Sequence, residues 1–261
     1  MDRLEKALEK SRHQRATLVG GKEQQLDWSG IEGKTPAYVA STFTSDQIDE
    51  AYMDAHRIVA HKTRCHEADV YRQLRTKVLH IMNSSGYRTL GITSPNYGDG
   101  KTTVALNLGI SIALDLKQTV LLVDLDLRKP DLHDYLGLTP EAGMTDHLIH
   151  DIPLNKCMIR PPFARVNILP VGSSTDNSSE LLGTPKMAAL AEELKNRYTD
   201  RLVIYDLPPA LSQDDPIAFL PQIDAILVVV LDGITKTENI RRCLETLKGA
   251  NVIGTVLNDS W

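Results

Sequence analysis

Cysteine is scarce in this sequence. Cys65, Cys157 and Cys243 are an odd three, far apart, and no CxxC or CxxH pair occurs. That excludes a disulfide framework or a structural zinc site and points to three reduced thiols. His61, Cys65 and His66 lie close together. No second Cys/His cluster answers them, so they read as the approach to a helix rather than as metal ligands. Long apolar runs are also lacking. Stretches such as Ala225 to Leu231 fall far short of the ~18 residues that span a membrane. The opening residues MDRLEKALEK are charged and have no apolar centre, so no secretory signal is expected and the chain reads as cytoplasmic. Nor is there a basic excess. The chain has 29 Lys plus Arg against 34 Asp plus Glu, a net charge of −5, which argues against a broad nucleic-acid footprint.

What is present is ordinary for a globular protein. Of 261 residues 42% are apolar, too many for a disordered chain. The length suits one large domain with a modest appendage. Residues 1–15 carry a narrow apolar stripe of Leu4 and Leu8 and are expected to be helical. Glu9 to Pro36 holds only six apolar residues in 28, with four glycines, and reads as a linker. A helix is expected from Ser45, an N-cap type of residue, to about His61. Another is expected from about Glu67 to Met82, where Tyr71, Leu74, Val78 and Ile81 recur at helical spacing. The division expected is therefore a helical and linker arm over residues 1–66 and one larger domain over 67–261.

From Tyr87 onward short β-rich runs alternate with longer helical segments. The runs are Thr89–Thr93, Val120–Val123, Val166–Leu169, Leu202–Tyr205, Ala225–Leu231 and Val252–Leu257. Near-continuous apolar runs suit strands buried on both faces. Their alternation with helices predicts an α/β fold, a mostly parallel β-sheet flanked by helices.

Three strand ends carry chemistry. The first is Gly98-Asp99-Gly100-Lys101-Thr102-Thr103, after a strand and at the start of a helix. Backbone N–H groups of such a loop can face phosphate oxygens, and the helix adds partial positive charge. Lys101 is placed to reach the β- and γ-phosphates and the Thr102 hydroxyl to ligand Mg²⁺. One departure from the P-loop pattern is Pro95 where a glycine is usual; it lacks an N–H but fixes φ. The second is Val123-Asp124-Leu125-Asp126, ahead of Arg128. Side chains alternate along an extended chain, so both carboxylates share a side if the strand continues. Such a pair can hold a metal's water shell and accept a proton from a hydroxyl nucleophile. The third is Leu202 to Tyr205 delivering Asp206, stopped by Pro208-Pro209. An acid there suits a Mg²⁺ partner, the Walker B role.

Together these segments resemble the bacterial tyrosine kinases of capsule and exopolysaccharide biosynthesis, P-loop proteins with an additional Asp-bearing motif. The resemblance runs from about Ala68 to Asp259. Ile92 through Thr103 is similar to the family's Walker A, Val123 through Pro130 to its Walker A′, and Asp206-Leu207-Pro208-Pro209 to its Walker B. The family usually has Ala at the position of Leu125. Gly143 to Leu148 and Asn177 to Leu182 resemble two further family segments. The resemblance implies a P-loop NTPase-like fold and ATP with Mg²⁺ as cofactors. It implies catalytic roles for Lys101, Asp124 and Asp126, and nucleotide contacts by Gly98 through Thr103, Arg128 and Asn258. It implies metal contacts by Thr102, Asp124 and Asp206. Asn258 ends a strand similar to the one whose Asn meets the adenine. Asp69, Arg72 and Arg75 resemble the family's E-x-x-R-x-x-R stripe, which implies self-association, with Asp in place of the usual Glu. A membrane polysaccharide co-polymerase is the implied activating partner, with recruitment to the inner face of the membrane.

The family's kinases usually end in a tyrosine cluster, whereas here no Tyr follows Tyr205. The expected activity is protein-tyrosine phosphorylation; the alternative is a nucleotide-switched regulator that assembles a membrane complex without phosphoryl transfer. A lesser alternative is a MinD/ParA-type partition ATPase. That group carries a lysine four residues before the loop's last glycine, and this chain has Asn96 there.

Overall fold

A computed structural model describes residues 50–115, 118–175, 177–212 and 215–259. The helix expected over 1–15 and the linker over 9–36 lie outside the described residues, as does the expected helix start at Ser45. Two helices, Glu50–Ala55 (α1) and His66–Ser85 (α2), precede the first strand, Thr89–Thr93 (β1). There follow Lys101–Ala113 (α3), Thr119–Asp124 (β2), Met144–His150 (α4), Leu154–Cys157 (α5) and Val166–Leu169 (β3). Next come Ser178–Leu182 (α6), Pro185–Asn196 (α7), Arg201–Asp206 (β4) and Asp215–Phe219 (α8). Ala225–Leu231 (β5), Thr237–Thr246 (α9) and Val252–Asn258 (β6) complete the order.

The six strands form one sheet in the order β3-β2-β4-β1-β5-β6, with every neighbouring pair parallel. Each apolar run anticipated from sequence forms a strand, extended by a residue at one or both ends in β2, β4 and β6. β1 and β4 are buried along their whole length, which is why they read as unbroken runs rather than alternating ones. Parallel neighbours need crossover connections, and here helices supply them. α3 is the most enclosed: every residue except Thr103 is buried, as expected for a helix that is apolar on nearly all sides.

α2 packs beside α3. Its inward face runs Tyr71, Leu74, Val78 and Met82. Steps of three, four and four keep those residues on one side of a helix with 3.6 residues per turn, whereas Ile81 falls off the stripe and is only partly buried. The helix expected to reach His61 stops at Ala55, and Arg57 follows with a left-handed φ of 59°. Beyond it, Ile58 and Ala60 join Met53 in the same core as the sheet. Residues 50–65, assigned from sequence to the arm, thus contribute three buried side chains to it.

For the site, what matters is the middle of the sheet. β4 lies between β2 and β1, so the loops after all three leave side by side at their carboxyl ends, where open parallel sheets bind ligands. The register sets Asp124 against Asp206 and Ile92 against Asp206.

Candidate active site

The loop between β1 and α3 is built to turn tightly. Gly98 and Gly100 have φ of 83° and 92°, values that L side chains rarely adopt. Gly100 has no room either: a Cβ there would lie 2.1 Å from Asn258 Nδ2. That amide donates to the Asp99 carbonyl at 3.1 Å, tying the end of β6 to the loop. The Asp99 carboxylate is used inside the loop: one oxygen accepts from the Asn96 N–H at 2.9 Å and the other from Thr235 Oγ at 2.8 Å. Pro95 is accommodated where the Ser94 hydroxyl donates to the Asn96 carbonyl at 2.8 Å. α3 begins at Lys101, and the first N–H groups of a helix have no partner within it.

Lys101 is buried among acids. Its Nζ lies 3.4 Å from Asp126 Oδ2, 3.7 Å from Asp206 Oδ2 and 3.3 Å from Thr102 Oγ. Burial alone pushes the ammonium pKa down, but attraction from Asp206, Asp126, Asp131 and Asp124 outweighs it and the pKa is raised. Thr102 Oγ lies 2.7 Å from Asp206 Oδ2 and 3.2 Å from Asp131 Oδ1, and its single proton serves one of them at a time.

The carboxylates are strained electrostatically. Asp124 is fully buried and accepts from the Asp126 N–H at 3.0 Å and the Leu132 N–H at 3.3 Å. Burial, then the neighbouring Asp206, drive its pKa up. Asp126 accepts from the Lys129 N–H at 3.2 Å, and burial raises its pKa against the pull of Lys101. Burial lifts Asp206 to about 6, with Lys101 and Thr102 acting the other way. Its Oδ1 is buried without a hydrogen-bond partner. Four carboxyl groups therefore surround one ammonium, and one buried acceptor is unmet. Such a surplus suits a divalent cation. Among the described residues no group of three or more His, Cys, Asp or Glu is arranged to hold a metal alone.

An open cleft of about 490 Å³ adjoins these groups. Gly98, Gly100, Lys101, Thr102, Thr103 and Asn258 line it, so most of the nucleotide contacts expected from sequence share one cavity. Asp126 and Asp206 face Lys101, which lines it, and Asp124 is the register partner of Asp206. Arg128 is not among the lining residues, and its Nε donates to the buried Ser178 Oγ at 2.8 Å. This joins the loop after β2 to α6, the segment singled out as Asn177 to Leu182. The other such segment is fastened to the chain after β3: Asp146 accepts from the Gly143 N–H at 2.8 Å and from Ser173 Oγ at 3.1 Å. Asp69, Arg72 and Arg75 lie on α2, away from the cleft. Arg72 pairs with Asp69 and donates to the Lys62 carbonyl at 2.6 Å. Arg75 donates to the Ser111 carbonyl at 2.8 Å, in the last turn of α3, where cations are favoured.

Several groups escaped the sequence reading. Asp131 lies just past Lys129-Pro130, and its only signal was proximity to the paired-Asp motif. Tyr97, Lys129 and Tyr135 line the cleft, with Lys129 Nζ 5.6 Å from the Tyr97 ring centroid. His56 and Arg57 also line it, from a segment with no recognisable motif.

No family model matches the chain. The chain is 33% identical over 181 residues to the putative tyrosine-protein kinase EpsB of Ralstonia nicotianae, covering 69% of this chain and 24% of that protein. It is 31% identical over 207 residues to the succinoglycan biosynthesis transport protein ExoP of Rhizobium meliloti, with 77% and 26% covered. It is 30% identical over 193 residues to the tyrosine-protein kinase YwqD of Bacillus subtilis, with 73% and 80% covered. The chain thus spans about a quarter of EpsB and ExoP and most of YwqD. The kinase domain of Escherichia coli tyrosine kinase ETK matches with TM-score 0.69 and 29% identity over 73% of this chain and 74% of that one. The septum site-determining protein MinD of Pyrococcus horikoshii, complexed with Mg-ADP, matches with TM-score 0.54 and 26% identity over 66% and 70%.

Proposed function

This chain belongs to the bacterial tyrosine kinases, and from that premise we propose that it binds ATP with Mg²⁺ and phosphorylates protein tyrosines in exopolysaccharide synthesis or export. The observation that carries the proposal is the meeting of Lys101, Thr102, Asp124, Asp126 and Asp206 at three adjacent strand ends beside the cleft. The Mg-ADP complex of MinD and the name of ExoP support the cofactor and the process.

In this reading the loop from Gly98 to Thr103 wraps the phosphates and Asn258 lies toward the base. Lys101 meets the β- and γ-phosphates, and burial makes its charge count for more than it would in water. Thr102, Asp206 and Asp124 hold Mg²⁺. When bound, the ion neutralises charge on the transferring phosphoryl group. Asp126 takes the phenolic proton. The raised pKa of Asp126 brings it nearer a working base, and the phenol, with a pKa near ~10, gives up its proton more readily than an aliphatic hydroxyl. Asp124 is less suited to that step because both of its oxygens accept backbone N–H groups.

A membrane polysaccharide co-polymerase is the proposed partner, holding a cytoplasmic kinase at the membrane's inner face. Among the described residues no helix is long and apolar enough to cross a membrane. Self-association through Asp69, Arg72 and Arg75 belongs to the same proposal. Asp69, 61% exposed, offers the acid, and Arg72 and Arg75 exchange partners within the chain for partners on a second copy. Arg75→Glu should then abolish any oligomer seen by sedimentation.

The deciding experiment is mass spectrometry after incubation with Mg-ATP, alone and with the partner's cytoplasmic tail. Phosphotyrosine that disappears in Asp126→Asn is expected. Bound ATP without phosphotyrosine on either protein would overturn the kinase reading and favour a nucleotide-switched regulator.

A further inference from the structure

The cleft has a wall that comes from upstream of the phosphate loop. Ala55, His56 and Arg57 form it, and the segment 52–60 that carries them is fastened at both ends. At one end the Tyr52 hydroxyl donates to the Asp134 carbonyl at 2.6 Å. His56 stacks on Tyr52 at 4.2 Å between centroids and meets the Tyr135 ring edge at 5.6 Å. Tyr135 lies in the loop after β2 and lines the same cleft as Thr103. At the other end Asn107, fully buried in α3, spends its whole amide on the segment and on its own helix. Oδ1 accepts from the Val59 and Ala60 N–H groups at 2.8 and 2.9 Å. Nδ2 donates to the Arg57 and Thr103 carbonyls at 2.8 and 2.9 Å.

Arg57 is held between these two anchors. It is exposed, lines the cleft beside Lys101 and Lys129, and keeps φ at 59°. A long side chain in that conformation costs free energy that glycine would avoid. Asn107 lies six residues after Lys101 in one helix, so the strap is indexed to the phosphate loop. Guanidinium groups match phosphate oxygens in planar, two-pronged fashion.

We infer that Arg57 is a third cation of the site, presented by this strap to the phosphate tail of the bound nucleotide. The inference rests on the ATP reading above. It assigns a binding role to a segment that lies outside the three strand-end motifs.

The test uses the full chain with Arg57→Gln, Arg57→Lys and Arg57→Gly, titrated with Mg-ATP at several salt concentrations and melted without ligand. Loss of one charge-assisted contact should weaken Mg-ATP binding by on the order of tenfold or more in Gln and Gly. Lys should retain part of the affinity. In Gln and Gly the salt dependence of binding should fall, since one screened attraction is gone. Gly should melt no lower than wild type, because it relieves the backbone. Wild-type affinity in Gln and Gly would overturn the inference. So would a loss that leaves the salt dependence unchanged and follows a lowered melting temperature, since that marks a structural role. Failure of the wild-type chain to bind Mg-ATP would sink the nucleotide reading itself, a separate result.

Discussion

Asp124 and Asp206 are register partners at the ends of β2 and β4, both fully buried. Burial raises both carboxyl pKa values, with Asp206 adding to the rise at Asp124, so the ligand-free protein should respond to pH through this pair. A carboxyl whose pKa is raised on folding contributes stability below its ordinary value and loses it as pH rises through the folded value. For Asp206 that window runs from 3.8 to about 6. Asp206→Asn removes the charge and keeps an acceptor for Thr102. It should stabilise the ligand-free protein at pH 8 by about 1–3 kcal/mol and flatten its melting temperature between pH 4 and 7. Phosphotransfer should be lost in the same variant. Thermal melts across pH decide it; an unchanged slope would contradict the assignment.

Lys101→Met should do the opposite to stability. It removes the ammonium that faces Asp126 and Asp206 and leaves buried acids uncompensated, at a cost of about 3–5 kcal/mol at pH 8. The cost should shrink at pH 5, where Asp206 is largely protonated. Denaturant titrations at the two pH values measure the difference, and calorimetry should show Mg-ATP affinity reduced by about tenfold or more.

Gly100→Ala meets two obstacles, the φ of 92° and the Asn258 amide. The backbone term alone should cost about 1–3 kcal/mol. Adding Asn258→Ala removes the collision and leaves the backbone term, so the double variant should recover only part of the loss. Full recovery in a double-mutant cycle would show that the left-handed turn carries no penalty.

Asn107→Leu keeps bulk inside α3 and removes the single acceptor, Oδ1, that both strap N–H groups share, along with the donor to the Arg57 carbonyl. Val59 and Ala60 each lose a partner, at about 1–3 kcal/mol for a buried, unmet N–H. Hydrogen exchange at those two amides should accelerate more than at β1 or β4. Uniform acceleration would mean that the strap and the sheet open together.

The parts of the site that were legible in sequence share one property: each is local. A buried strand announces itself by an unbroken apolar run, and the residue that follows it must emerge at a sheet end. Asp124 and Asp206 are legible that way, and Lys101 through the glycine-rich loop that opens a helix. Asp99 shows the limit of such reading. Its place in the glycine-rich loop suggested a ligand contact, whereas its carboxylate braces Asn96 and Thr235, and Thr235 is remote in sequence. Arg75 shows it again, because its bond to the Ser111 carbonyl depends on how α2 lies on α3.

By itself the sequence determined the six strands, their parallel α/β arrangement and the family, because periodicity, strand-end motifs and loop glycines act over a few residues. Only the tertiary structure decided that β4 lies between β2 and β1, bringing Asp206 against Asp124 and Thr102. It alone brought Asp131, Tyr135 and Arg57 to one cleft. Crossover connections and the docking of a distant strap depend on burial shared across the whole core, and no local pattern of residues records that.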